Sequence, residues 1–323
     1  MHSTRKFGFL LPMSSYKDCL GAALEAERLG FNSVWVYDDL HGFPSGGVLD
    51  SLTAWAAVAQ ATKKIAIGSC VIAIQRYHPV TLSKALTTID WVSNGRIVVG
   101  IGAGGFVENY GFPALSKPVR RMVEAIEVMK ALWTRNGVDY EGLYFKIEGA
   151  SLVPKPLQKP HPPIWLGANS PRTLRLAAEM ADGWLPMVTA PQLFKEDIMH
   201  IRERAEKAGR RASDIRNGLL IYTLAGKDRL EVEKLFEPLA MPTLLWVNGR
   251  SIRRLGYPLP RSPLGVPTDA LRKMAAYGTP QDVAQSLGAF IDAGVEHFVL
   301  GVIPPERTEE QMRIFSEEVL PML

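Results

Sequence analysis

Phe7-Gly8-Phe9-Leu10-Leu11-Pro12, a helical stretch over residues 16–29, then Ser33-Val34-Trp35-Val36-Tyr37 form the segment on which the reading of this chain turns. Two short apolar runs, rich in aromatic and β-branched residues, flank a segment with Ala22, Ala23, Ala26 and Leu29 at helical spacing. That segment stops at Gly30, a residue suited to the position after a helix end. Strand, helix, strand at this length makes the two strands parallel neighbours. The unit recurs along the chain. Apolar runs stand at residues 7–12, 33–37, 65–69, 96–100, 164–167, 183–186, 217–225 and 297–301, with helical stretches between them. Strands that are apolar throughout are buried on both faces. Eight such units are the count that closes a barrel, so the expected fold is α/β, a (β/α)8 TIM barrel. Chemistry in that architecture sits at the C-terminal ends of the strands, so the residues just after each run are the candidates.

The chain has 323 residues, against about 250 for a minimal barrel. The surplus falls mainly at residues 226–279, after strand seven, where several prolines and Gly256-Tyr257-Pro258 predict an irregular insertion with helical pieces. Long excursions of this kind serve as lids, binding loops or interfaces. A single domain over residues 1–323 is expected. A net charge of +4, from 37 basic and 33 acidic side chains, is too weak to argue for nucleic acid. Two small basic clusters, Arg250, Arg253 and Arg254, and Lys207, Arg210 and Arg211, read as solvated faces. With only Cys19 and Cys70 there is no cysteine framework for a metal. No apolar run approaches a membrane span and no signal region opens the chain. A cytoplasmic protein acting on a small molecule is expected, with no metal, nucleic acid or membrane.

Four segments could carry chemistry. After strand four, Gly102-Ala103-Gly104-Gly105 would let backbone N–H groups approach an anion or a flat ring. Gly100 to Gly105 matches a dinucleotide-binding fingerprint only superficially, because it follows the fourth strand and no helix starts at once. After strand five, Gly167-Ala168-Asn169-Ser170-Pro171-Arg172 leads into a helix whose free N–H groups and dipole suit a phosphate. After strand two, Asp38-Asp39-Leu40-His41 holds two carboxylates and an imidazole, able to act as general acid and base or simply to cap a loop. After strand three, Ser69-Cys70 begins a stretch that ends in Arg76-Tyr77-His78-Pro79. Cys70 has no activating partner nearby in sequence and reads as a small apolar filler. Glu108, in the loop after strand four, could face the pocket or the solvent.

Taken together, Gly30-Phe31-Asn32-Ser33-Val34-Trp35-Val36, Arg76-Tyr77-His78-Pro79, Asn94-Gly95-Arg96 through Gly104, Pro163-Ile164-Trp165-Leu166-Gly167-Ala168 and Ala181-Asp182-Gly183-Trp184 resemble the bacterial luciferase-like oxidoreductase family. The resemblance is strongest to its coenzyme F420-dependent branch, which includes methylenetetrahydromethanopterin reductase. It implies hydride transfer between C5 of a deazaflavin and an organic substrate. It also implies a non-proline cis peptide at Ser69–Cys70 behind the ring, with the carboxylate of Asp38 near the cofactor. Gly104, Gly105, Gly167, Ala168, Asn169 and Ser170 would meet the ring and the phosphate tail, and Asp39, with His41 or Glu108, would handle the proton. The sugar-phosphate and alcohol dehydrogenases of this branch carry a histidine where Asp39 stands and a glutamate where Gly105 stands, which argues against both of those activities here. An FMN-dependent monooxygenase and a flavin- or deazaflavin-binding protein without turnover are the alternative readings. The resemblance also implies a homodimer, paired through helices near the second and third βα units.

Overall fold

The computed structural model describes residues 5–40, 47–104, 110–112, 116–259 and 267–323, and of 243–248 the backbone only. All eight apolar runs are strands of one closed ring. In chain order these are β1 (Lys6–Leu10), β2 (Ser33–Val36), β3 (Ala66–Ser69), β5 (Ile97–Gly102), β8 (Ile164–Leu166), β9 (Gly183–Trp184), β10 (Arg216–Ala225) and β12 (His297–Val302). Each pairs in parallel with the next, β10 pairs with β9, and β12 returns to β1, so the ring has no edge. The helices between them are α1 (Tyr16–Arg28), α2 (Ser51–Ala61), α3 (Pro79–Val92), α4 (Pro118–Thr134), α5 (Pro171–Met180), α6 (Pro191–Lys207) and α9 (Pro280–Asp292), with α10 (Thr308–Ile314) at the end. Five of them, α3, α4, α5, α6 and α9, begin on a proline, whose missing N–H costs nothing in a first turn. The hairpin β6 (Val138–Glu141) and β7 (Lys146–Ala150) decorates the outside between α4 and β8.

Two apolar layers result. The outer one lies between strands and helices and includes Val34, Ile67, Val99 and Phe298. The inner one fills the ring and draws on each strand or the residue following it: Leu10, Trp35, Cys70, Val98, Trp165, Leu185, Leu220 and Val299. Two indoles need room that a ring of β-branched residues would not leave. Gly68 supplies it for Trp35, since a Cβ there would come within 2.1 Å of the indole, and Gly183 does so for Trp165 at 2.6 Å. Beneath the indoles lies His297, buried and stacked edge-on to both at 5.5 Å. Its Nε2 lies 2.7 Å from Ser33 Oγ, which also accepts from Trp35 Nε1 at 2.8 Å.

Arg96, part of the Asn94-Gly95-Arg96 turn, locks the ring to a helix. Its guanidinium donates to the Ala59, Thr62 and Ile65 carbonyls and to Thr62 Oγ1, satisfying the C-terminal end of α2.

The insertion after strand seven is more regular than its prolines predict. A single helix, α7 (Arg229–Arg254), carries Pro238 and Pro242 within it. The two prolines lie one turn apart, so the hydrogen bonds they remove lie in adjacent turns. The helix is held from outside by a buried stripe of Val232, Phe236 and Ala240 and by Glu233, which pairs with Arg229 and Arg272. After α8 (Thr268–Met274), the short β11 (Ala276–Gly278) adds to the upper end of β10, a pairing invisible to local periodicity.

Burial depresses the His297 pKa to about 3 from an ordinary 6.5. A histidine kept neutral in the fold but free to protonate in the unfolded chain contributes stability that is whole above pH 6.5 and lost as pH falls toward 3. One such proton gives a slope of about 1.4 kcal/mol per pH unit in that window. The variant His297→Gln should be less stable at pH 7, yet lose that slope. Urea unfolding from pH 7 to pH 4 reads it, and parallel slopes for the two proteins would refute the assignment.

Candidate active site

The C-terminal mouth of the ring is organised by an irregularity in the third strand. Pairing of β3 with β5 runs Ile67 to Ile97 and Gly68 to Val98, then resumes in β4 (Ile72–Ala73) with Ile72 to Ile101 and Ala73 to Gly102. Three residues on one side, 69–71, face two on the other, 99 and 100, so the chain bulges over 69–71. The cis peptide bond among the described residues that does not precede a proline is Cys70–Val71, not Ser69–Cys70 as the resemblance implied. Ser69 stays in the strand: it pairs with Val36, and its side chain bridges to Gly100 N–H at 2.9 Å and Gly100 O at 3.0 Å. The irregularity therefore begins one residue later.

The bulge pushes Val71 toward the next two strands, which are glycine where they face it. A Cβ on Gly102 would come within 2.7 Å of Val71 Cγ2, and one on Gly167 within 3.3 Å of Val71 Cγ1. The result is a small apolar wall at the mouth. Gly104 sits beside Ala73 and Gln75 with φ +79°, a conformation that favours glycine, and Gln75 donates to the carbonyl of Ala103. Gly105 and Glu108 lie outside the described residues, as does His41.

Asp38 braces the wall from behind. Its carboxylate accepts from Ser51 Oγ at 2.8 Å, Ala73 N–H at 3.0 Å, Tyr77 OH at 3.1 Å and the guanidinium of Arg76. One buried side chain thus ties the end of β2 to the first turn of α2, to β4 and to the turn before α3. Burial raises its pKa, with Arg76 and the three other donors pulling the other way. Asp39, next in the chain, accepts from the Leu40 N–H at 2.7 Å, and its carbonyl lies 3.4 Å from Arg76 Nη1.

Sequence reasoning named Asp38 without its partners, and assigned no part to Arg76, Tyr77, Gln75 or Tyr222. Tyr222 lies two residues beyond Leu220 on the inner face of β10, the period that would have found it. Burial raises its phenol pKa, with Cys70 and Tyr37 close enough to contribute. Tyr37 is itself pushed up to about 12, chiefly by burial and then by Asp39. Burial holds the Cys70 thiol at about 12, which agrees with an inert filler.

At the fifth strand the chain runs from Gly167, whose N–H bonds Ile101 O at 2.9 Å, through Ala168, whose carbonyl accepts from Trp184 Nε1 at 2.8 Å. Ser170 then caps α5, accepting from Thr173 N–H at 3.3 Å while Thr173 Oγ1 accepts from Ser170 N–H at 3.0 Å. Pro171 has no N–H, and Thr173 and Leu174 have spent theirs. The Arg172 N–H is the first-turn donor left for an anion, a narrower offer than a helix start usually makes. Among the described residues no group of three or more His, Cys, Asp or Glu is placed to hold a metal ion.

Asp38→Asn should leave the donors of Ala73, Ser51 and Arg76 facing an amide that can accept on one side only, and cost about 3 kcal/mol by breaking a buried charged cluster. A denaturant midpoint unchanged from wild type would show that the cluster does not hold the mouth. Native Cys70 should resist iodoacetamide at pH 8 and react only on unfolding, as peptide mapping of the alkylated protein would show; rapid native labelling contradicts the burial.

Residues 1–297 match the luciferase-like monooxygenase family. A curated relative, F420-dependent glucose-6-phosphate dehydrogenase of Amycolatopsis mediterranei (strain U-32), is 28% identical, covering 95% of this chain and 94% of its own. A solved structure, an F420-dependent secondary alcohol dehydrogenase in complex with an F420–acetone adduct, is 26% identical, with a TM-score of 0.82 and 99% of each chain covered. The coenzyme F420-dependent tetrahydromethanopterin reductase of Methanopyrus kandleri shares the fold, with a TM-score of 0.85 over 98% of this chain and 99% of its own at 22% identity. The chain, matched from its first strand through the start of its last, belongs to the luciferase-like monooxygenase family.

Proposed function

We propose that this protein is a coenzyme F420-dependent oxidoreductase that transfers a hydride between the deazaflavin C5 and an organic substrate. Nearly full-length likeness to enzymes named as F420-dependent, in sequence and in fold, carries the reading. The mouth fits such a ring. Val71, set between glycines of two neighbouring strands and braced through Asp38, offers a fixed apolar surface where any larger side chain on those strands would intrude. A bound deazaflavin supplies a two-electron hydride acceptor or donor, so the protein need only position the partners and move a proton.

Ser69, Cys70, Gly104 and Gly105 are proposed to shape the seat of the ring, and Gly167, Ala168, Asn169 and Ser170 the seat of the phosphate. Asp38 is a positioning residue in this scheme. Asp39, with His41 or Glu108, handles the proton that accompanies hydride transfer. An acid there also suits an imine or methylene acceptor, the reductase-like direction. The same reading carries a single barrel domain over residues 1–323, a cytoplasmic setting and a homodimer through α2 and α3. The family description names a monooxygenase, which supports oxygen chemistry as a second reading, with FMN as the cofactor it would use.

Fluorescence titration of the pure protein with coenzyme F420 and with FMN separates the two. Saturable deazaflavin binding with FMN weaker on the order of tenfold or more is expected; the reverse order overturns the cofactor and leads to oxygen chemistry. With a substrate in hand, Asp39→Asn should slow turnover by about 10²-fold or more while leaving deazaflavin affinity near wild type. Undiminished turnover would remove Asp39 from proton transfer.

A further inference from the structure

Arg250 and Arg254, which read from sequence as part of a solvated face, also line a cavity, Arg250 while still exposed to solvent. It is an open cleft of about 380 Å³ on the outer side of the ring, lined by α5, α6 and the C-terminal end of α7, which Arg254 ties to α6. Its wall carries four guanidinium groups, Arg175, Arg204, Arg250 and Arg254, with His200 and one carboxylate, Asp197. Pro171 and Leu174 add an apolar patch.

The charges do not cancel. Arg254 is matched by Asp197 at 2.8 Å and Glu196 at 2.9 Å. Arg175 is 3.6 Å from Glu179. Arg204 and Arg250 form no ion pair among the described residues, although both line the cavity; the Glu203 carboxylate close to Arg204 is bonded to Lys207. Four guanidinium groups from three helices face three partner carboxylates, so Arg204 and Arg250 leave a local excess of positive charge that is the complement of an anion. Guanidinium groups suit oxyanions in particular, because each can donate two parallel hydrogen bonds.

We propose that this cavity is a binding site for a small ligand with at least two clustered negative charges, phosphate or carboxylate. Asp197 fixes the Arg254 fork, while Arg204 and Arg250 supply the charge that the protein leaves unmatched. Two sources of such a group fit the position. One is a free polyanion. The other is the anionic end of a ligand seated in the mouth, since Pro171 follows directly on the Gly167–Ser170 segment. The site itself does not depend on the cofactor assignment.

Calorimetric titration with inorganic pyrophosphate at low ionic strength tests it on the full chain. Saturable binding at one site per chain is expected. It should weaken on the order of tenfold or more in the double variant Arg204→Gln with Arg250→Gln, and persist in Lys17→Gln, a surface charge change on α1. Arg204 and Arg250 are exposed, so the substitutions remove no buried packing, and an unchanged melting temperature of the variant checks the fold. Repeating the titration in saturating coenzyme F420 distinguishes the sources: loss of pyrophosphate binding points to the end of the mouth ligand, and retention to a separate polyanion. Absence of saturable binding, or equal binding by the double variant, overturns the proposal.

Discussion

The mouth of this barrel depends on one desolvated carboxylate. Taking a charge out of water costs several kcal/mol, and Asp38 recovers that cost only by gathering donors from Ser51, Ala73, Arg76 and Tyr77. Those donors belong to the start of α2, to β4 and to the turn before α3. Satisfying Asp38 therefore fixes where the third strand goes after its bulge. Val71 is placed by that path, and so is the seat of Gly104 against Gln75. A hydrogen-bonded cluster is here the cause of an apolar surface several residues away.

The ring beneath is held by different physics. Its interior is close-packed around two indoles, and the glycines opposite them are as necessary as the indoles themselves, since packing at crystal-like density tolerates neither voids nor overlap. His297 closes this interior from below as a neutral, hydrogen-bonded group. The two systems lie at opposite ends of the strands. Loosening the Asp38 cluster should disturb the mouth while the ring survives, the division that lets barrel loops vary over a constant scaffold.

This division also explains what could be read from the chain. The eight strands were legible because burial on both faces leaves a local mark, an apolar run such as Ser33-Val34-Trp35-Val36 between turn residues. The start of α5 was legible from Pro171. The insertion was misjudged because Pro238 and Pro242 speak locally against helix, whereas the forces retaining α7 come from Glu233, Arg272 and a buried stripe packed on other elements. The short β11 left no mark of its own. At the site, Asp38 and the glycines stood out by position after a strand. Their meaning lay in partners 13 to 39 residues away, such as Ser51 and Tyr77, which no local pattern connects. The one-residue displacement of the cis bond has the same origin: only the pairing of Ser69 with Val36 shows that the strand continues to it.

The placement of charge is the last feature that joins fold to chemistry. Around the mouth, burial raises the pKa values of Tyr37, Tyr222 and Cys70, so at neutral pH these groups are uncharged. The charge of Asp38 is spent on its own chain. A hydride carries two electrons and a nucleus together, so a site that transfers it gains from neutral, fixed walls that need little reorganisation as the charge moves. Strong positive charge is instead kept outside the ring, in the arginine-lined cavity between α5, α6 and α7. Separating the two would let the protein hold an anion without placing the field of its unpaired guanidinium groups, Arg204 and Arg250, across the position where the reacting carbon would sit.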